Sequence, residues 1–185
     1  RDIGKVPLTL HGLRDATSDE AAIRTWWRQW PQANIAIATG AASKIVILDV
    51  DADHEGETML SALTAQFGDL PLTPEAITGG GGRHILFAHP GQPVRNAVSV
   101  GGLPGLDIRA DGGYVIAPPS LHRSGRRYEW DAAHHPDDMP LALLPDWLFA
   151  LLTVEPGGNG RQPADQIGDK IVSGERNSTL TSLAG

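Results

Sequence analysis

Ile45-Val46-Ile47-Leu48-Asp49-Val50-Asp51 opens with four consecutive apolar residues and closes with two carboxylates one residue apart. An apolar run of this kind predicts a strand buried on both faces. Side chains alternate along a strand, so Asp49 and Asp51 are expected to point the same way off its end. Two like charges side by side repel and call for a positive partner. A hard divalent cation with oxygen ligands meets that need.

Working outward, Ala52-Asp53-His54-Glu55-Gly56 leads into a helix with Met59, Leu60, Leu63 and Phe67 on one face. Gly68 and the Pro71/Pro74 segment end it. Residues 76–78 read as a short strand, Gly79 to Gly82 as a four-glycine turn, and Arg83-His84-Ile85-Leu86-Phe87 as the returning strand. Residues 89–105, rich in Gly and Pro, read as a loop. Leu106-Asp107-Ile108-Arg109 reads as a strand with Asp107 and Arg109 on one face. Gly112-Gly113 turns into a strand over residues 114–117, which Pro118-Pro119-Ser120 closes. His122, Arg123, Arg126 and Arg127 make a basic hairpin tip before a strand over residues 128–130. Pro145 opens a short amphipathic helix carrying Trp147, Leu148, Leu151 and Leu152.

On the other side of the central run, residues 1–16 are an irregular approach containing Lys5, Pro7 and Gly12. Thr17 and Glu20 have capping-box spacing, and Ile23, Trp26, Trp27 and Trp30 recur at helical spacing until Pro31. This tryptophan stripe is expected to pack into the core rather than to form a substrate platform. Residues 34–38 alternate Ile35 and Ile37 and read as a strand.

The 185 residues suffice for one ordinary domain with a proper core. Its 41% hydrophobic and 20% charged residues are those of a globular protein, with no apolar run long enough for a membrane span and no signal-peptide pattern. The absence of cysteine excludes disulfides and thiolate zinc sites and suits a cytoplasmic location. A net charge of −7 argues against nonspecific coating of nucleic acid, though not against a local basic groove. The start at Arg1 and the stop within a helical pattern suggest a piece of a longer protein. A catalytic domain is expected over residues 1–153, a Gly- and Pro-rich linker over 154–173, and the start of a helical domain over 174–185.

Asp49, Asp51 and Asp107 have the makings of a site for two divalent metals about 4 Å apart, the arrangement used for in-line phosphoryl chemistry. Gly79, Gly80, Gly81 and Gly82 allow backbone to approach a phosphate with no Cβ in the way. Arg83 and His84 lie on opposite faces of their strand. His84 is favoured to point into the site, with Arg83 reaching around from the turn. Tyr114, after the Gly112-Gly113 turn, is expected near the metals, either under the incoming sugar as a gate against a 2′-hydroxyl or packed beside Ile116.

Five motifs stand in order: Asn34-Ile-Ala-Ile-Ala-Thr-Gly40, Leu48-Asp-Val-Asp51, Thr78-Gly-Gly-Gly-Gly-Arg-His84, Gly105-Leu-Asp-Ile-Arg109 and Gly113-Tyr-Val-Ile-Ala-Pro-Pro-Ser120. Together they resemble the primase–polymerase (Prim-Pol) domains of the archaeo-eukaryotic primase superfamily, found in plasmid and phage replication proteins. The resemblance implies an α/β (α+β) primase fold with an RRM-like catalytic sheet flanked by helices. It also implies template-directed nucleotidyl transfer with Mg²⁺ or Mn²⁺ on DNA template and primer. By this resemblance Asp49, Asp51 and Asp107 are metal carboxylates, and His84 is the nucleotide-phosphate histidine. The glycine turn, Arg83, Arg109, Tyr114 and Ser120 are expected around the nucleoside triphosphate, and Arg123, Arg126 and Arg127 on nucleic acid. The tail Gly174-Glu-Arg-Asn-Ser-Thr-Leu180 looks like the start of the helical domain that often follows, and a helicase domain is an expected partner in the full-length protein. The segment that usually precedes Gly4 and the zinc element of some members are absent.

Other readings remain open at this level. Asp-x-Asp after an apolar strand also occurs in haloacid-dehalogenase-like phosphatases and metal-dependent glycosyltransferases. The phosphatases want Thr or Ser shortly after the pair, where this chain has Ala52-Asp53-His54. An EF-hand fails because the sixth position is His54 and the twelfth Leu60. A Walker B reading fails for want of a P-loop. The glycine run is also readable as a mere hairpin, Asp107 as a partner of Arg109 alone, and the arginine group as a solvated turn. A metal-dependent phosphohydrolase or nuclease, and a silent nucleic-acid-binding module, are the alternatives to a polymerase.

Overall fold

A computed structural model describes residues 4–153. The linker and helical tail expected over 154–185 lie outside the described residues. The central apolar run forms strand β2 (Ile45–Val50), and its neighbours in space are β4 (Arg83–Ala88) and β5 (Leu106–Arg109), both antiparallel to it. Beyond β4 come β3 (Glu75–Ile77) and β7 (Glu129–Trp130), so the sheet order is β5-β2-β4-β3-β7. A short β8 (Ala142–Leu143) pairs in parallel with the far end of β4.

Strand alternation gives this sheet two different faces. Val46, Leu48, Val50, Ile85, Phe87, Leu106 and Ile108 point to one side. They meet Met59, Leu60 and Leu63 of α2 (Gly56–Phe67) and Leu148 and Leu151 of α3 (Asp146–Thr153). Each such fully buried side chain stabilises the fold by about 1.5–3 kcal/mol relative to exposure. Phe67 stacks on Trp147 at 5.7 Å, closing α2 against α3.

The opposite face is covered only in part. A two-stranded ribbon, β1 (Ile35–Ala38) with β6 (Tyr114–Ala117), packs Ile37 and Val115 over Ile47 and Leu86, next to Trp130. The same face continues past Ile47 and Leu86 to Asp49, His84 and Asp107, where His84 is buried near Ile116 and Ala117 of the ribbon and the two carboxylates are partly exposed. There β2, β4 and β5 carry Asp49, His84 and Asp107 in place of apolar side chains, with Arg109 opposite Ile47 one pair further along.

The fold class is α+β, as expected. The path from β2 through α2 to β3, with β4 inserted between them, is a split β-α-β unit. The second crossover, from β4 to β5, contains one 3₁₀ turn at Val100–Gly102 where an RRM-like sheet would carry a helix.

Two upstream expectations change. In α1 (Glu20–Gln29) the N-cap is Asp19, whose side chain accepts from the Ala21 amide, while Thr17 instead accepts from the Asp19 amide at 3.1 Å. The capping-box spacing pointed two residues too early. None of the α1 residues is buried, and Trp26, Trp27 and Trp30 are half-buried outside both core clusters. Among the described residues no helix is long and apolar enough to cross a membrane.

Candidate active site

Register brings the polar residues together. Asp49 is the cross-strand partner of His84 on β4 and of Asp107 on β5, so the three stand in one row on the open face. The row continues through Ala76 to Trp130. Arg109, one step along β5, reaches back to Asp107 Oδ2 at 2.8 Å and lies 3.7 Å from Asp49 Oδ2. The Ser99 amide donates to the other Asp107 oxygen at 2.9 Å.

Burial sets the protonation of this row. Loss of water pushes the Asp49 carboxyl up to about 6, with Arg109 opposing and Asp107 adding to the rise. Loss of water also pushes the His84 imidazole down to about 4, assisted by the cations Lys5 and Arg109. At neutral pH Asp49 is therefore ionised and His84 neutral. The rings of His84, Tyr128 and His122 form a chain of contacts, each pair 5.9 Å apart.

Asp51 is extended but already engaged by the turn that follows. β2 ends at Val50, and the Asp51 side chain caps the following 3₁₀ turn by accepting from the Asp53 amide at 2.9 Å. Its other oxygen bonds His54 Nδ1 at 2.8 Å. Partial burial raises this carboxyl, but the bonds from His54 and Asp53 outweigh it and hold it below the usual range. His54 was not favoured from sequence alone, although its place three residues after Asp51 on a tight turn carries the signal.

The glycine turn joins β3 to β4. The Gly81 amide donates to the Thr78 carbonyl at 2.9 Å, and the Gly82 amide donates to Thr78 Oγ1 at 3.0 Å. The amides of Gly79 and Gly80 have no hydrogen-bond partner among the described residues. Side chains are excluded here by crowding: a Cβ on Gly82 would run into the Val50 carbonyl, and one on Gly79 into His122. The basic hairpin lies directly on this turn. Ser124 Oγ and Arg126 Nε both donate to the Gly79 carbonyl, at 2.7 and 2.9 Å.

Other expected site residues stand elsewhere. Arg83 does not reach around from the turn. It lies on the helix side of the sheet, bidentate on Glu57 at 2.7 and 2.8 Å and bonded to Glu75 at 2.8 Å. Alternation put it there, and two carboxylates hold it. Ser120 is buried, accepting from the Ile35 amide at 2.8 Å, and so ties β1 to the chain after β6. Tyr114 is half-buried at the start of β6, and its hydroxyl donates to the Lys5 carbonyl at 2.8 Å. Arg127 donates to the Pro119 carbonyl at 2.8 Å, and Arg123 is exposed at the hairpin tip. Tyr128, read from sequence only as a strand residue, is the buried ring between the two histidines.

Among the described residues no three His, Asp or Glu side chains are gathered closely enough to hold a metal ion. Asp49 and Asp107 nonetheless present hard oxygen donors side by side, partly desolvated and short of positive charge. That donor chemistry fits a divalent cation. Asp51 would join them only by giving up His54.

The family match sets the class, the primase/polymerase type of nucleotidyltransferase. Residues 1–147 match the family described as bifunctional DNA primase/polymerase, N-terminal (Prim-Pol), and the chain belongs to it. No match is found among curated proteins.

Proposed function

We propose that this domain carries out template-directed nucleotidyl transfer on DNA, in the replication of a plasmid, phage or other mobile element. The observation that carries the reading is the row His84–Asp49–Asp107, set across three adjacent strands beside a glycine turn with two free amides. Acidic and phosphate-accepting groups then share one open face, as a reaction between a nucleoside triphosphate and a primer end requires.

Asp49 and Asp107 would hold Mg²⁺ or Mn²⁺, with Asp51 as a third ligand once it leaves His54. When bound, such ions neutralise charge on the transferring phosphoryl group, and a pair of them is the proposed arrangement. Arg109 holds Asp107 in place and partly balances the two carboxylates before any ion binds. His84, neutral at pH 7, offers an N–H to a phosphate oxygen rather than a full charge. The Gly79 and Gly80 amides add uncharged donors at the same turn. Arg123, Arg126 and Arg127 line the hairpin beside it and are the proposed contacts to template or primer phosphates.

Primer extension tests this reading. Wild-type protein with Mg²⁺ or Mn²⁺ should add nucleotides in template order, and Asp49→Ala and Asp107→Ala should abolish the addition. Template-independent release of phosphate from nucleotides, with no extension, would instead indicate a phosphohydrolase.

A further inference from the structure

Residues 4–8 are exposed and belong to no helix or strand, yet their course is tied down at two adjacent positions. Asn34 Nδ2 donates to the Gly4 carbonyl at 3.0 Å and to the Leu121 carbonyl at 2.8 Å, while Asn34 Oδ1 accepts from the Leu121 amide at 2.9 Å. The Tyr114 hydroxyl holds the next carbonyl, that of Lys5. One asparagine and one tyrosine thus strap the N-terminal segment to the base of the basic hairpin and to the ribbon.

The ammonium group delivered by this strap has no carboxylate within ion-pair distance among the described residues. Its field falls on the site instead. It is the cation acting most strongly on His84, ahead of Arg109, and on His122, ahead of Arg123 and Arg126. On Asp49 it acts more strongly than the neighbouring Asp51 does. The Asn34 bonds set Gly4 beside Leu121, the residue before His122, whose side chain lies against Gly79, so the Lys5 stem starts from the base of the hairpin that sits on the glycine turn.

Two of the other cations nearby are held by carboxylates, while Arg126 bonds the Gly79 carbonyl through Nε and keeps its terminal nitrogens beside Gly81. Arg83 is held by Glu57 and Glu75, and Arg109 by Asp107. His84 is neutral, and backbone amides carry no charge. A triphosphate bound at the glycine turn would therefore find few positive groups free of carboxylates among the described residues, and Lys5 and Arg126 are two of them, both with hydrogen-bonded backbone.

We propose that Lys5 contacts the phosphates of the incoming nucleotide, completing the phosphate side of the site from a distant part of the chain. This rests on the nucleotidyl-transfer reading and adds a specific residue to it. A lysine suits the task as a compact point charge on a flexible stem. The strap fixes where that stem begins, which limits the ordering cost of the contact.

The test is calorimetric titration of the protein with dATP and with dAMP in the presence of Mg²⁺, alongside thermal unfolding. Lys5→Met should weaken dATP binding roughly tenfold, the loss of one charge-assisted contact, and weaken dAMP binding far less. Lys5→Arg should keep most of the dATP affinity. Tyr114→Phe, which loosens the strap but keeps the charge, should give a smaller loss with the same preference for dATP. In primer extension, Lys5→Met should raise KM for nucleotide more than it lowers kcat. Wild-type dATP affinity in Lys5→Met would overturn the assignment of Lys5 and leave the nucleotidyl-transfer reading standing. Equal losses for dATP and dAMP together with a lowered melting temperature would show that the strap is only structural, which also overturns it. If wild-type protein binds no dATP, both fall.

Discussion

His84 and Asp49 stand opposite each other in the antiparallel pairing of β4 with β2, with Nε2 3.5 Å from Oδ1. The two groups are perturbed in opposite directions by the same loss of water, Asp49 up to about 6 and His84 down to about 4. At neutral pH they are a carboxylate and a neutral ring, not an ion pair.

Opposite shifts have opposite consequences for stability. Asp49 prefers to be protonated in the fold, so its burial penalty is full above pH 6 and disappears as pH falls to about 4. His84 resists protonation in the fold, so it costs nothing above about pH 6.5 and destabilises progressively as pH falls toward 4. Asp49→Asn should therefore stabilise the metal-free protein at pH 7 by on the order of 2 kcal/mol, an advantage that vanishes near pH 4. Urea unfolding of both proteins at the two pH values checks this. A variant less stable than wild type at pH 7 would contradict it.

A neutral His84 should make a neutral hydrogen bond to phosphate. His84→Ala should then weaken nucleotide binding by about 0.5–1.5 kcal/mol, less than a charged partner would contribute. The difference between wild type and variant should stay constant from pH 6.5 to 8. A difference that shrinks as pH rises through that range would mean that His84 is protonated in the complex.

Arg83 is committed to the helix side of the sheet. Arg83→Ala should cost about 1 kcal/mol of stability by freeing Glu57 and Glu75, at a partly exposed site where ion pairs are weak. Nucleotide affinity should not change. A double-mutant cycle with Glu57→Ala measures the pair, and a large loss of dNTP binding in Arg83→Ala alone would return this residue to the site.

Gly79 is required by what lies on it. Gly79→Ala places a methyl group against His122 and should lift the hairpin that Ser124 and Arg126 anchor to the Gly79 carbonyl. Primer extension should fall at least tenfold in this variant, because the basic hairpin and the free amides would lose their shared geometry. Ser124→Ala, which removes one anchor without the clash, should give a milder loss. Full activity in Gly79→Ala would show that the hairpin plays no part.

Local properties were legible in the residues themselves. Alternation is a property of any strand, so it determined that Asp107 and Arg109 share a face and that Arg83 and His84 do not. The buried run ahead of Asp49, the helix after Gly56 and the glycine turn follow from periodicity and backbone freedom in the same way. Alternation could not tell that the Asp51 carboxylate is engaged by two partners just beyond the strand end, Asp53 N–H and His54. Register was beyond sequence reasoning, because which residue faces Asp49 depends on pairings between strands dozens of residues apart. Only the tertiary structure decided that His84 and Asp107 flank it, that the tryptophans of α1 stay outside the core, and that the Lys5 backbone is tied down beside the basic hairpin. Lys5 belongs to no regular element and has no periodicity to read. Its place is set by hydrogen bonds to Asn34 and Tyr114, contacts that exist only once the chain has folded.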